Sequence, residues 1–296
     1  MNPRLLLGLL SLPLLAACHS DPILDAPKGK LLASDGGVAT PIDSTNAAAP
    51  MAASDQTPAL AAAPAMTPTP VATLPAAGEL IRIQGDPAIV AKPVRVKRDS
   101  GEVSTFYRVG DHVVNENLPE GYPAPTPPGM IDLKSYPMVR RAEFRGEGGS
   151  RGSANGGFWP LFMHIQRRDI AMTSPVEMDY SGMQLPEGEP ADAKQNFSPR
   201  SWTMSFLYRT QELGPTGEDG RVVVVDAPPV TVLAIGMTGS PSRNVVEEGA
   251  TKLREFLASQ STWEAAGDVR GLFYNGPDVP ESRKWAEIQV PVRLKK

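Results

Sequence analysis

All 18 aromatic side chains of this 296-residue chain (8 Phe, 4 Trp and 6 Tyr) lie at or after Phe106. A segment of that length without aromatics buries too little apolar area to offset the entropy of ordering it. The folding material is therefore confined to roughly the last 170 to 190 residues, a size that suits one domain. The 29 basic and 33 acidic residues leave a net charge of −4, which excludes a strongly basic nucleic-acid binder. A single cysteine excludes an internal disulfide and a thiolate metal cluster. The three histidines, His19, His112 and His164, are scattered, without the spacing of a multidentate metal site.

The first residues read as an address. Arg4 precedes an apolar run from Leu5 to Ala17, shorter than the ~20 residues needed to span a bilayer and matching the core of a secretory signal. Leu15-Ala16-Ala17-Cys18 looks like a bacterial lipobox, which implies cleavage before Cys18 and lipidation of its thiol. The expected mature chain carries 28 basic and 33 acidic residues, net −5. Two or more acyl chains anchor stably where one binds only marginally. His19, rather than Asp, follows the cysteine, which favours the outer over the inner membrane and an envelope location with the domain in the periplasm or at the surface. Residues 18–78 form a tether. Their Ala/Pro/Thr/Ser content, as in Thr67-Pro68-Thr69-Pro70, predicts a disordered, partly extended linker.

Residues 79–129 read as a small β extension, with Val94 and Val96 facing Val103 and Phe106 across a turn at Asp99-Ser100-Gly101. From 130 to 296 the pattern sharpens. Strands are predicted at 131–137 and 139–145, then a Gly-rich loop at 146–157. Phe158, Leu161, Phe162 and Ile165 fall on one face of a helix. Pro160 suits only a first turn, so this helix is expected to start near Gly157 or Phe158. A strand at 170–178 is interrupted by Pro175, and Trp202, Met204, Phe206 and Tyr208 alternate along the next. The second half repeats the order. A strand at 230–235 precedes a helix capped near Ser240-Pro241-Ser242 and striped by Val246, Ala250, Leu253 and Leu257. Strands at 271–274 and over Ala286, Ile288, Val290 and Val292 complete it. The expected fold class is α+β: two duplicated strand–helix–strand–strand units forming an antiparallel, barrel-like curved sheet with two helices.

Catalysis is not expected. Gly148-Gly149-Ser150-Arg151-Gly152 matches a serine-hydrolase pattern, but that mechanism needs an acid and then a histidine after the serine. Only His164 follows Ser150, with no Asp or Glu between them. The same loop lacks the glycine register of a phosphate cradle, which leaves open only anion binding by Arg151. Acidic pairs such as Glu247-Glu248 read as solvated faces.

Several motifs in this domain are similar to those of the SOUL heme-binding protein family. Ile170-Ala171-Met172-Thr173-Ser174-Pro175-Val176 resembles its Met-Thr-x-Pro-Val strand, and Gly157-Phe158-Trp159-Pro160-Leu161-Phe162-Met163-His164-Ile165 its first helix. Phe273-Tyr274-Asn275-Gly276-Pro277, Lys284-Trp285-Ala286-Glu287-Ile288 and Ile131-Asp132-Leu133-Lys134-Ser135-Tyr136-Pro137 resemble its turn, closing strand and opening strand. The motifs fall in family order across about 165 residues. The resemblance implies a fold shared with small-molecule effector-binding domains. It also implies non-catalytic binding of heme or another porphyrin in a surface hydrophobic groove, for transport, buffering or sensing. Two departures stand out: Gln166-Arg167-Arg168-Asp169 is shorter than the family's loop, and His164 replaces its tyrosine.

The implied ligand contacts are Phe158, Leu161, Phe162, His164, Ile165 and Arg167. On a helical wheel His164 lies about 60° outside the apolar sector, half exposed. Two readings stay open for it: an axial iron ligand, or a boundary histidine bonded to solvent or a neighbouring strand. Arg167 or Arg168 is expected to pair with a propionate, and Met163, Met172, Met178 and Met204 to fill core. The rival reading is a structural or protein-interaction lipoprotein that keeps the fold without heme.

Overall fold

The structure is a computed structural model that describes residues 73–97, 101, 103–114, 116–147, 153–185 and 199–296. The signal segment, Cys18, most of the tether and the Gly148–Gly152 motif lie outside the described residues. Those described form part of one compact unit.

The first part holds β1 (Leu80–Gln84), β2 (Lys92–Lys97), β3 (Val103–Val109) and β4 (His112–Val114). It is followed by β5 (Ile131–Tyr136), β6 (Val139–Glu147), α1 (Ser153–Arg167), β7 (Val176–Ser181) and β8 (Ser201–Leu207). The second half holds β9 (Gly217–Asp219), β10 (Val222–Ala227), β11 (Val230–Thr238), α2 (Arg243–Ser259), β12 (Trp263–Ala265), β13 (Arg270–Phe273) and β14 (Trp285–Leu294). The main sheet runs β1-β5-β11-β14-β13-β7-β8-β6-β10-β9, with β12 against β14. All its strand pairs are antiparallel. From the β13–β7 seam the order is the same outward on both sides: β14, β11, β5 on one, β8, β6, β10 on the other. The α+β class and the doubled unit expected from the sequence are present. The sheet ends on β1 and β9 and does not close.

Strand alternation sorts the sheet into two faces. One carries Phe144, Met178, Met204, Phe206, Leu233, Ile288 and Val290 and packs both helices. Ser242 caps α2, its hydroxyl accepting from the Val245 amide, and Gly249 lets the helix approach β14 so closely that a Cβ there would press on Ile288. The other face is covered by the N-terminal part. β1 is an edge strand of the main sheet, paired with β5, while β2, β3 and β4 form a separate three-stranded sheet. The hairpin expected around residues 94–106 forms, with Val94 opposite Phe106. Val114 and Leu118, with Tyr107 and Tyr122, pack on Tyr136, Leu272, Tyr274 and Trp285. Trp285 Nε1 donates to the Thr126 carbonyl at 2.7 Å and the Thr126 amide to Glu287 Oε1 at 2.7 Å.

Two sequence expectations fail in detail. Helix α1 starts at Ser153, so Pro160 lies inside it rather than in its first turn. The hydrogen bond that proline forgoes belongs to the carbonyl of Gly156, an exposed residue that water can reach. The strands β9, β10 and β12 were not anticipated. Val222 to Val225 form a continuous apolar run, which lacks the alternation that marks a half-buried strand, and three-residue strands show no period at all.

Candidate functional site

Helix α1 is set by what its inner side must bury. Gly157, Leu161, His164 and Ile165 face inward. Gly157 lies at the closest approach, where a Cβ would come within 3.2 Å of Phe144 and Trp202. Relative to the predicted wheel the helix is rolled by roughly 60°, at 100° per residue. Phe158 and Phe162 are therefore only partly buried, and Trp159 and Met163 point outward at 61% and 47% exposure. The helix ends in a Schellman arrangement: the Ile170 amide donates to the Ile165 carbonyl at 2.9 Å and Asp169 to Gln166 at 3.2 Å. Asp169 takes the left-handed position (φ 54°) that glycine usually fills. This compact ending is what the short Gln166–Asp169 loop builds.

His164 is the largest correction to the sequence reading. Expected half exposed, it is fully buried. Its Nδ1 lies 2.6 Å from Asp219 Oδ2 and its Nε2 2.7 Å from the Tyr208 hydroxyl. A carboxylate only accepts, so Nδ1 carries a proton and donates to Asp219, while Nε2 is bonded to the Tyr208 hydroxyl. The ring nitrogen an iron ion would need is already engaged, inside the protein. Of the two readings left open, the geometry is that of a histidine bonded to neighbouring chain segments. Asp219, on β9, also meets Arg167 Nη2 and Arg168 Nη1, each at 3.2 Å. The His164 hydrogen bond first, then the two guanidinium charges, hold the Asp219 carboxyl below the usual range. Sequence reasoning missed both Tyr208's hydroxyl and Asp219. Tyr208 was read as one more aromatic on a strand face, and Asp219 lies on a three-residue strand 55 positions from His164.

The six expected contacts thus separate. Leu161 and Ile165 are core residues at 0% and 3% exposure, and His164 is buried beside them. Phe158 and Phe162 line the rim of the exposed patch, their rings stacked at 5.7 Å. Trp159 meets both edge-on, at 5.8 and 5.9 Å. Arg167 is exposed at the end of the same side. Trp159, Met163 and Arg167 follow at i, i+4 and i+8, so an aromatic ring, a thioether and a guanidinium line up over about 12 Å of helix. Met178 and Met204 are buried, as core fillers would be. Met163 is not.

The opposite face of the sheet holds a second polar concentration, in two cross-strand rows. One runs through Glu143, Ser205, Glu177, Leu272 and Glu287, the other through Asp179, Arg270, Gln289, Ala234 and Asp132. Glu287 accepts from Lys134 Nζ (2.8 Å), Tyr274 (2.7 Å) and Gln289 (2.6 Å). Glu177 takes Arg141 at 2.6 Å and Arg270 at 3.1 Å. Burial, then the Glu177 charge, push Asp179 up to about 6 against the pull of Arg141 and Arg270. The segment around Thr126 closes over the Glu287 end of this face, so it stands as internal structure. Among the described residues no group of three or more His, Cys, Asp or Glu side chains could hold a metal ion. No helix among them is long and apolar enough to cross a membrane.

The model of one family, described as SOUL heme-binding protein, matches residues 124–291. No curated protein matches the chain. Among solved structures, the EcmrR–DNA complex is 13% identical over 55% of this chain and 57% of that one, with a TM-score of 0.42. The EcmrR C-terminal domain is 12% identical over 55% and 96%, with a TM-score of 0.41. A structure described as a hydrolase from Listeria innocua is 12% identical over 57% and 94%, with a TM-score of 0.38. Likenesses this distant transfer neither a ligand nor an activity.

Proposed function

We propose that this chain, which belongs to the SOUL heme-binding protein family, binds heme or a related tetrapyrrole non-catalytically on the outward side of α1, and does so as a lipid-anchored protein of the cell envelope. The observation that carries the reading is the line of Trp159, Met163 and Arg167 along one exposed helix side, flanked by Phe158 and Phe162. A porphyrin offers a broad apolar face and charged propionates at one edge. Trp159 and the phenylalanine rims supply stacking area, and Arg167 supplies a propionate partner. Asp219 now shares Arg167, Arg168 and His164, so a propionate would compete for Arg167 and leave Asp219 two partners. His164 acts as a positioning residue, holding Asp219 and thereby the arginines, rather than as an iron ligand. The role would be transport, buffering or sensing, with Cys18 as the anchor and the outer membrane as the favoured site.

Titration of the purified chain with hemin, followed by absorption, tests the reading. A saturable Soret shift is expected. Trp159→Ala combined with Met163→Ala should weaken binding at least ten-fold, and Arg167→Gln by a few-fold, while His164→Gln leaves the Soret position unchanged. A band that moves in His164→Gln would return the iron to that residue. No saturable shift in the unaltered chain would overturn heme binding and leave an interaction module in the same fold. Separately, Cys18→Ser behind a signal segment that is still cleaved should move the protein from the membrane to the soluble fraction.

A further inference from the structure

Five of the ten exposed large apolar side chains among the described residues lie within one short stretch: Ile89, Val90, Val94, Val96 and Val103. They surround β2, all six of whose residues are exposed. Strand alternation puts Lys92 and its partner Arg108 on the face of Val94 and Val96, and Arg95 and Lys97 on the face of Val103. Like charges facing each other across a strand pair destabilise it, yet neither strand contains an acid. None of the four cations has a salt bridge to a described residue. Arg108 donates only to the Gly110 carbonyl, at 3.2 Å. In a chain of net charge −4, the described part of this hairpin is basic and apolar, and its cations have no salt bridge to another described residue.

The geometry points to an interaction surface for an anionic lipid bilayer: we infer that the β2–β3 hairpin rests on the membrane, its valines at the headgroup level and its cations among anionic headgroups. Exposed apolar residues rimmed by cations mark such surfaces. Each cation near an anionic bilayer strengthens binding about five-fold. Two other occupants fit less well. An added strand from a peptide or from a second copy would have to pair with the open edge of β2, but Pro93 removes a donor there and the lysines blunt the edge. A second copy would also bring its own cations against these.

The test uses the chain from residue 18 onward carrying Cys18→Ser, so that neither the apolar run Leu5–Ala17 nor an acyl group contributes, and sedimentation with vesicles. The expected result is binding to vesicles containing phosphatidylglycerol, weakened by high salt, and no binding to pure phosphatidylcholine. Lys92→Glu, Arg95→Glu and Lys97→Glu together should reduce the association at least a hundred-fold while the far-ultraviolet circular dichroism is unchanged. Equal binding of the triple variant overturns the inference. So does loss of binding in Trp159→Ala with the hairpin intact, which would place the contact on α1. Absence of any vesicle binding overturns it too, as does a dimer that the triple variant abolishes without any vesicle binding. Hemin binding is read separately, so its failure does not bear on this result.

Discussion

At the residue scale, His164 shows how one buried polar side chain organises its surroundings. The imidazole fits between Asp219 and Tyr208 with both nitrogens hydrogen-bonded. Buried polar groups are retained when fully bonded and are costly when half bonded. Tyr208→Phe keeps the shape of the ring and removes only the hydroxyl bonded to Nε2. It should lower the unfolding free energy by about 1–3 kcal/mol in urea titration, with native hemin affinity if the ring is not an iron ligand. The histidine was legible as an oddity, since it stands where the family has tyrosine. Its burial was not, because the roll of α1 is set by Gly157 against Phe144 and Trp202, two contacts that no helical wheel contains.

At the scale of elements, the crossing of the 119–130 segment over β11 is the tightest constraint. Gly236 donates to the Met130 carbonyl at 3.0 Å and accepts from the Gly129 amide at 2.8 Å. A Cβ at this position would overlap the carbonyls of Thr126 and Pro127. Gly236→Ala should therefore lift this segment without removing β11, at a cost of about 1–3 kcal/mol. Hydrogen–deuterium exchange should show faster exchange at Gly129 and Met130, with protection retained in β14. Unchanged exchange there would mean that the backbone yields elsewhere. Apolar patterning marked β5, β6, β8, β11, β14 and both helices. It missed β10, whose four valines carry no alternation, and with it the hairpin that delivers Asp219 to His164.

At the scale of the whole molecule, stability against pH follows from the charged face of the sheet. Burial and the Glu177 charge raise the Asp179 carboxyl to about 6. A carboxyl whose folded value lies above its unfolded value binds protons more tightly when folded, so its contribution is most favourable below about pH 4. That contribution declines as pH rises through 6. Asp179→Asn should remove this decline and raise stability at pH 7 by about 1 kcal/mol, discounted for the solvent that reaches a 30%-exposed carboxylate. Urea midpoints from pH 4 to 7.5 check it: a variant whose midpoint falls as steeply as the parent's would assign the pH dependence to another group.

The sequence by itself determined where the aromatic side chains that carry much of the burial are concentrated, at and after Phe106, although β1 and β2 precede that residue. It also determined the α+β class and the doubled unit, since local periods of 3.6 and 2 record which side of each element is buried. What only the tertiary structure decided are the relations between elements: the roll of α1, the pairing of His164 with Asp219 and Tyr208, and the segment drawn over Glu287. Those depend on packing between residues tens to more than a hundred positions apart, and a periodic pattern holds no information at that range.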